Sequence, residues 1–272
     1  MSLFKHRSKQ ETLAQETESF PPDESIKTSE SRDVRFLLRG LSPEKTKFIS
    51  DYSKALKSSY FPETPDLKTY KNSIRSTLTF KDAEELRNYT GINYKYINSV
   101  LRGFWNYDEL GQKTPEKEQE IRESADKISE IIQKSPKLPT NLKTFRGTNL
   151  DSFRGYGVES LTDLEKLNGE LVYERGFTSS SLSPENSFFE RDFEDTYRKK
   201  CDIEIEYLIP GGSRDGIVLA SDELSYSKNQ EEFLFDRGSV FRVMEVETDG
   251  ETAKLKMALI PKEFSDDENS WN

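Results

Sequence analysis

Hydrophobic residues in the first half of the chain recur at the spacing of an α-helix. Phe48, Tyr52 and Leu56 fall on one face of a helix that Ser42 can cap and Pro43 can begin. The same periodicity predicts four further helices, over residues 67–78, 80–88, 93–102 and 116–134. The region from about 42 to 136 is therefore predicted to be helical.

The hydrophobic pattern changes after about residue 143. Ile203, Ile205 and Tyr207 alternate with glutamates, which is typical of a half-buried strand. An Asp249-Gly250 turn separates two more alternating segments. Those segments and a short apolar run complete the predicted strands, at residues 233–235, 240–247 and 253–260. Helices followed by strands predict an α+β fold rather than an alternating α/β fold.

Both ends of the chain differ from the part between them. Residues 1–35 are polar and lack apolar periodicity, so we predict a disordered tail, with a translocation or partner-binding segment as the alternative. Residues 36–262 form the predicted domain, with a helical part at about 42–136 and a strand-rich part at about 143–262. Residues 263–272 are predicted to be an acidic tail.

No apolar run approaches the roughly 20 residues of a membrane span. The N-terminus has basic residues but no continuous apolar segment behind them, so it does not resemble a Sec signal peptide. We therefore expect a soluble protein that acts in a cytoplasm, either of the producing cell or of a target cell.

Charge and rare residue types narrow the possible chemistry. The net charge of -10 argues against a broad nucleic-acid interface, although a local basic patch stays open. His6 is the only histidine and Cys201 the only cysteine, which excludes an ordinary Ser-His-Asp or Cys-His mechanism and a disulfide within the chain. We expect no metal, and the chemistry must rest on carboxylates, arginines and hydroxyls.

Three short motifs carry such groups in the strand-rich half. They are Thr144-Phe145-Arg146-Gly147, the segment Gly176–Leu182 (GFTSSSL), and the segment Gln230–Gly238 (QEEFLFDRG). Each alone has an ordinary explanation: a surface ion pair, a turn, or the solvent-facing half of a strand. Their order is more specific than any one of them.

In this order, the motifs resemble the mono-ADP-ribosyltransferase toxins and effectors of the exoenzyme type. That group includes clostridial Rho-modifying exoenzymes and the enzymatic components of actin-modifying binary toxins. Tyr89-Thr90-Gly91 and the segment 97–103 resemble the part of the family that precedes its NAD cleft. The resemblance covers roughly residues 45–262. It implies the ADP-ribosyltransferase fold, in which a helical subregion is followed by two packed β-sheets that form an NAD cleft.

The resemblance also implies a role for each motif in splitting NAD and transferring ADP-ribose. Glu232 would stabilise the positive charge that develops on the ribose, and Ser179 would hold that carboxylate in place. Gln230 would orient the acceptor. The implied NAD-binding set consists of Arg146, Gly147, Arg102, Asn98, Ser181 as a support for the serine segment, and Phe189, chosen from Phe188, Phe189 and Phe193.

Two positions depart from the usual family pattern. Ser180 replaces a threonine but keeps its hydroxyl, and Gln230 stands where family members that modify arginine carry glutamate. Glutamine favours a non-arginine acceptor, read by the loop 221–229 with Tyr226 as its aromatic contact. We therefore predict a toxin or effector with a macromolecular acceptor, and a protein is favoured.

Three alternatives stay open at this point. The chain is either a protein-modifying enzyme, or an enzyme of the same fold that modifies nucleic acid or mainly hydrolyses NAD in a toxin–antitoxin or phage context. An inactive binding module is disfavoured because Arg146, Ser179, Gln230 and Glu232 are all present. An antitoxin or chaperone partner also stays open.

Overall fold

A computed structural model describes residues 41–63, 65–105, 110–186, 201–219, 224–225 and 231–262. The two predicted tails, 1–35 and 263–272, lie outside these residues, and the domain boundaries stay predictions. Five α-helices within the described residues agree with the predicted ones to within one residue at each end for which a boundary was predicted. They are α1 Pro43–Lys57, α2 Lys68–Thr77, α3 Phe80–Asn88, α4 Tyr94–Leu101 and α5 Pro115–Lys134.

Local capping explains where several helices begin. The Ser42 hydroxyl accepts a hydrogen bond from the Lys45 amide at the start of α1, and Thr114 does the same for Lys117 at the start of α5. Thr79 and the third helical residue of α3 form a reciprocal capping box. These signals are local, and this is why the sequence predicts the helices well.

A π-helical turn, Tyr89–Asn93, joins α3 to α4 and was not predicted. Such turns are rare and change the direction of the side chains that follow. Here the turn lies beside a buried Tyr89, whose ring meets Phe177 edge-on at 5.3 Å. The irregular turn therefore brings the helical part of the chain against the segment that precedes the serine motif.

The eight described strands form a mixed sheet in the order β2-β7-β8-β4-β1-β3-β6-β5. Among them β4 and β8 are parallel, and the other pairs are antiparallel. The α+β class is confirmed. The strands are β1 Leu142–Thr148, β2 Leu171–Glu174, β3 Thr178–Ser181, β4 Ile203–Ile209, β5 Gly216–Val218, β6 Glu232–Phe235, β7 Ser239–Thr248 and β8 Ala253–Ile260.

The expected pair of sheets needs one refinement, because hydrogen bonds join all eight strands into one sheet. The joint is narrow: β1 and β3 pair only at Phe145 and Ser181. The strands on either side of this joint nevertheless pack on one another. Phe235 of β6 lies 4.9 Å from Tyr207 of β4 and 5.1 Å from Phe241 of β7, measured between ring centroids. The sheet is therefore folded over at the β1–β3 joint.

Helices cover this sheet at separate places. Ile128, Ile131 and Ile132 of α5 belong to the main hydrophobic core with residues from most of the strands. Helix α1 packs elsewhere, where Leu56 meets Leu208 and Ala258 in a smaller cluster. The main core fixes the strands that carry the three motifs.

Candidate active site

Arg146, Ser179 and Glu232 come together where β1, β3 and β6 lie side by side. Arg146 on β1 donates from Nη1 to the Ser179 carbonyl oxygen at 2.6 Å. The Ser179 side chain is hydrogen-bonded to the Glu232 carboxylate, and the Arg146 charge acts on that carboxylate as well. Three motifs that are far apart in the sequence therefore meet at the β1–β3 joint.

Glu232 is a buried carboxylate, with 9% of its surface exposed. Burial raises the pKa of Glu232 above its usual value, while the Ser179 hydrogen bond and the Arg146 charge act in the opposite direction. Both neighbours favour the ionised form, which is the form that can stabilise a developing positive charge. The role of Ser179 in holding the Glu232 carboxylate stays a prediction.

The other serines of this motif face different surroundings. The Ser180 hydroxyl is buried and lies 2.8 Å from Thr144 Oγ1 and 3.3 Å from the Phe233 carbonyl oxygen. The serine that replaces the usual threonine therefore ties β1 to β6 behind the site. The Ser181 hydroxyl accepts from the Ser183 amide at 3.1 Å, so it supports the turn after β3.

Asn98 of α4 and Arg102, the residue that follows α4, contact the segment between β2 and β3. Asn98 donates to the Tyr89 hydroxyl and to the Phe177 carbonyl, both at 3.1 Å, and accepts from the Phe177 amide at 2.8 Å. Both N–H groups of its carboxamide are therefore used within the protein, and the predicted contact of Asn98 with the phosphates stays a prediction. One turn later, Arg102 Nε donates to Glu174 Oε1 at 3.0 Å.

A model of the family described as "ADP-ribosyltransferase exoenzyme" matches residues 66–262, which is more than half of the chain. This chain belongs to that family. The resemblance of the three motifs is thereby confirmed at the level of the family, which transfers ADP-ribose from NAD.

Solved structures with a similar fold include toxins and enzymes from several bacteria. C3stau2 from S. aureus, determined with NAD, has a TM-score of 0.54 and 20% identity, covering 75% of this chain and 100% of that one. Plx2a, an ADP-ribosyltransferase toxin from Paenibacillus larvae, has a TM-score of 0.51 and 21% identity, covering 79% and 96%. Vis toxin from Vibrio splendidus has a TM-score of 0.50 and 19% identity, covering 84% and 90%. A comparison with curated protein sequences finds no match.

For several residues of this exoenzyme, the expected contact with NAD or with the acceptor is still a prediction. Gly147 lies on β1 opposite Glu204 of β4, and its backbone contact with nicotinamide is still a prediction. Gln230, Phe189 and Tyr226 lie outside the described residues. So do the alternatives Phe188 and Phe193.

Glu231 lies between Gln230 and the proposed catalytic Glu232. Its side chain is more than half exposed and pairs with Lys71 Nζ of α2 at 3.0 Å. Glu231 therefore points away from Glu232, as the alternation of a strand predicts.

Two further residues lie at the exoenzyme site: Tyr89, from the segment Tyr89-Thr90-Gly91, and Glu174, which no motif singled out. The Tyr89 hydroxyl is buried, and burial raises its pKa; the charge of Glu232 acts in the same direction, and those of Arg102 and Arg146 oppose it. Glu174 closes β2 and faces Arg102. A glutamate before a turn carries no signal of its own, so Glu174 did not stand out in the sequence.

The residues that the structure describes were searched for a metal site and for a membrane span. They contain no group of three or more histidine, cysteine, aspartate or glutamate side chains that could hold a metal ion. Within the same residues, no helix combines the length and the apolar character that a membrane crossing requires.

Proposed function

We propose that this exoenzyme is a mono-ADP-ribosyltransferase that cleaves NAD and passes ADP-ribose to a protein side chain other than arginine. The observation that carries the proposal is the buried Glu232 carboxylate, held by the Ser179 hydroxyl beside the Arg146 guanidinium. A rigid carboxylate in a site of this kind is suited to stabilising positive charge on a sugar.

The proposed reaction begins at the bond between nicotinamide and ribose. Nicotinamide leaves with the bonding electron pair, and positive charge develops on the ribose. Glu232 stabilises that charge and hydrogen-bonds a ribose hydroxyl, while Ser179 keeps the carboxylate in one orientation. The acceptor then attacks the anomeric carbon and releases a proton. A fixed carboxylate needs little reorganisation during this step, which is where its catalytic benefit arises.

Arginine side chains would hold the NAD pyrophosphate. A guanidinium has five N–H donors, and the contacts of Arg146 with Ser179 and of Arg102 with Glu174 each use one of them. The remaining donors suit phosphate oxygens, which arginine binds through parallel N–H groups. C3stau2, which has a similar fold, was determined with NAD, and this supports NAD as the ligand. Gly147 and Phe189 would contact the nicotinamide end.

Gln230 would orient the acceptor. It stands two residues before Glu232, and residues at that spacing on a strand share a face. The outward direction of Glu231 supports this placement. Glutamine at this position favours an acceptor less basic than arginine, and Tyr226 would supply an aromatic contact in the acceptor loop.

Labelled NAD added to a cell lysate tests the proposed function. We expect label to enter a fraction that protease removes and nuclease does not. The Glu232→Gln variant should transfer no label, while the matched Glu231→Gln variant should transfer normally because that side chain faces solvent. Label that nuclease removes would indicate a nucleic-acid acceptor instead. Free ADP-ribose without any labelled macromolecule would indicate an NAD hydrolase.

A further inference from the structure

The Arg102 side chain is held in place by an ion pair with Glu174. Arg102 Nε donates to Glu174 Oε1 at 3.0 Å, and the two side chains are 37% and 28% exposed. The same Glu174 oxygen accepts from the Gly176 amide at 3.0 Å. One carboxylate oxygen thus fixes both the arginine that follows α4 and the backbone between β2 and β3.

The space around this contact leaves little freedom. A Cβ atom added to Gly176 would lie 3.3 Å from Arg102 Nε and 2.7 Å from Asn98 Oδ1. Asn98 precedes Arg102 by four residues, so the two side chains lie on the same side of the helix. The Asn98 carboxamide hydrogen-bonds both the carbonyl and the amide of Phe177. The side chains of Asn98 and Arg102 therefore both contact residues 174–177, the segment that precedes β3 and Ser179.

The geometry points to Glu174 as a positioning residue for NAD binding, an inference that rests on the proposed function. Glu174 accepts the hydrogen bond from Arg102 Nε and so fixes the orientation of the guanidinium, which leaves its two Nη groups to bind the phosphates. A guanidinium fixed in this way loses less side-chain entropy when it binds a pyrophosphate. The carboxylate also reduces the positive charge that a phosphate meets, so orientation, rather than charge, is what Glu174 contributes.

Two conservative substitutions separate orientation from charge. Glu174→Gln keeps the reach of the side chain and an oxygen that can accept from Arg102 and Gly176, but it removes the charge. Glu174→Asp keeps the charge but shortens the side chain by one methylene. We expect Glu174→Asp to raise KM for NAD hydrolysis about tenfold, as for loss of one hydrogen bond to a charged group, with kcat little changed. Glu174→Gln should keep KM close to that of the wild type.

A control variant and a second measurement complete this test. Glu170→Asp changes an exposed glutamate next to the start of β2 and should leave KM unchanged. Hydrogen exchange of the Gly176 amide, measured without NAD, should accelerate in Glu174→Asp but not in Glu174→Gln. This second measurement tests the contact even if the wild-type protein fails to hydrolyse NAD, which would overturn the proposed function instead.

Three results would overturn the inference. The first is a Glu174→Asp protein that is folded and has an unchanged KM. The second is a Glu174→Gln protein with the same rise in KM as Glu174→Asp, since an acceptor oxygen of full reach would then not be sufficient to orient Arg102. The third is a fall in KM in either variant, which would make Glu174 a competitor of the phosphates.

Discussion

At the scale of single residues, Glu232 combines a catalytic requirement with a cost in stability. Burial raises its pKa in the folded protein, so ionisation is less favourable there than in the unfolded chain. The folded state therefore binds more protons than the unfolded state between the two pKa values. The free energy of unfolding must fall as pH rises through that window, and the loss persists above it.

Glu232→Gln should therefore stabilise the protein at neutral pH. The variant cannot ionise, so its Tm at pH 7.5 should exceed that of the wild type, and the difference should shrink as pH falls toward the unfolded pKa of about 4.3. Thermal unfolding followed from pH 4 to pH 8 measures this. Glu231→Gln, which changes an exposed carboxylate, should not reproduce the effect. A Glu232→Gln protein that is less stable at pH 7.5 would contradict the assigned cost of ionisation.

Gly176 is a second residue whose identity the site dictates. An alanine Cβ would approach Asn98 Oδ1 to 2.7 Å, and three hydrogen bonds prevent Asn98 from moving aside. Gly176→Ala should cost about 1–3 kcal/mol in the free energy of unfolding, as overpacking does in other proteins, and should raise KM for NAD. Gly155→Ala is the matched control, because its Cβ would meet nothing within 4 Å. Equal effects of the two substitutions in denaturant unfolding would argue against the close packing of Gly176.

At the scale of elements, a buried aspartate holds the end of the strand that carries Glu232. Asp236 follows β6 and is 1% exposed. It accepts from Ser129 Oγ and Lys262 Nζ, both at 2.6 Å, and from Gln133 Nε2 at 3.0 Å. Helix α5 and the residues after β8 are thereby tied to the end of β6 that lies opposite Glu232.

Removal of this carboxylate should destabilise the fold strongly. Asp236→Ala removes the buried acceptor that Lys262, Ser129 and Gln133 share. Breaking a buried pair from one side costs about 3–5 kcal/mol. Asp126→Ala removes the exposed partner of Arg237 in the neighbouring ion pair and should cost less than about 1 kcal/mol. Urea unfolding of both variants gives the comparison. Similar losses in the two proteins would show that Asp236 is not the centre of this network.

Local signals explain which elements the sequence predicts. Ser42, Thr79 and Thr114 mark helix starts through bonds to residues three positions away, so a single segment suffices to predict them. The strand order, the single β1–β3 pair and the π-helical turn depend on segments distant in the chain. For the same reason the partners of Glu174 and Asp236 were not predicted, since nothing near either residue in the sequence indicates Arg102 or Lys262.

At the scale of the whole molecule, the folded-over sheet explains why three weak motifs form one site. Arg146 and Ser179 lie on the two strands of the narrow β1–β3 joint, and Glu232 lies on the next strand. The helical half adds Asn98 of α4 and Arg102, the residue after α4, to the surroundings of this site. The order of the motifs was sufficient to predict the family and the residues that converge. The hydrogen bonds of Asn98 were not predicted, because Tyr89 and Phe177 reach its side chain only in the folded protein.

The central claim is that Glu232 supports bond cleavage while Gln230 serves only the acceptor. NAD hydrolysis and labelled transfer, measured side by side for Glu232→Gln, Gln230→Ala and Glu231→Gln, test it most directly. Glu232→Gln should lose both activities by about 10²–10³-fold, because every turnover develops the ribose charge. Gln230→Ala should lose transfer and keep most hydrolysis, and Glu231→Gln should keep both. Near-normal hydrolysis in a folded Glu232→Gln protein, or equal loss of hydrolysis in Gln230→Ala, would contradict the account.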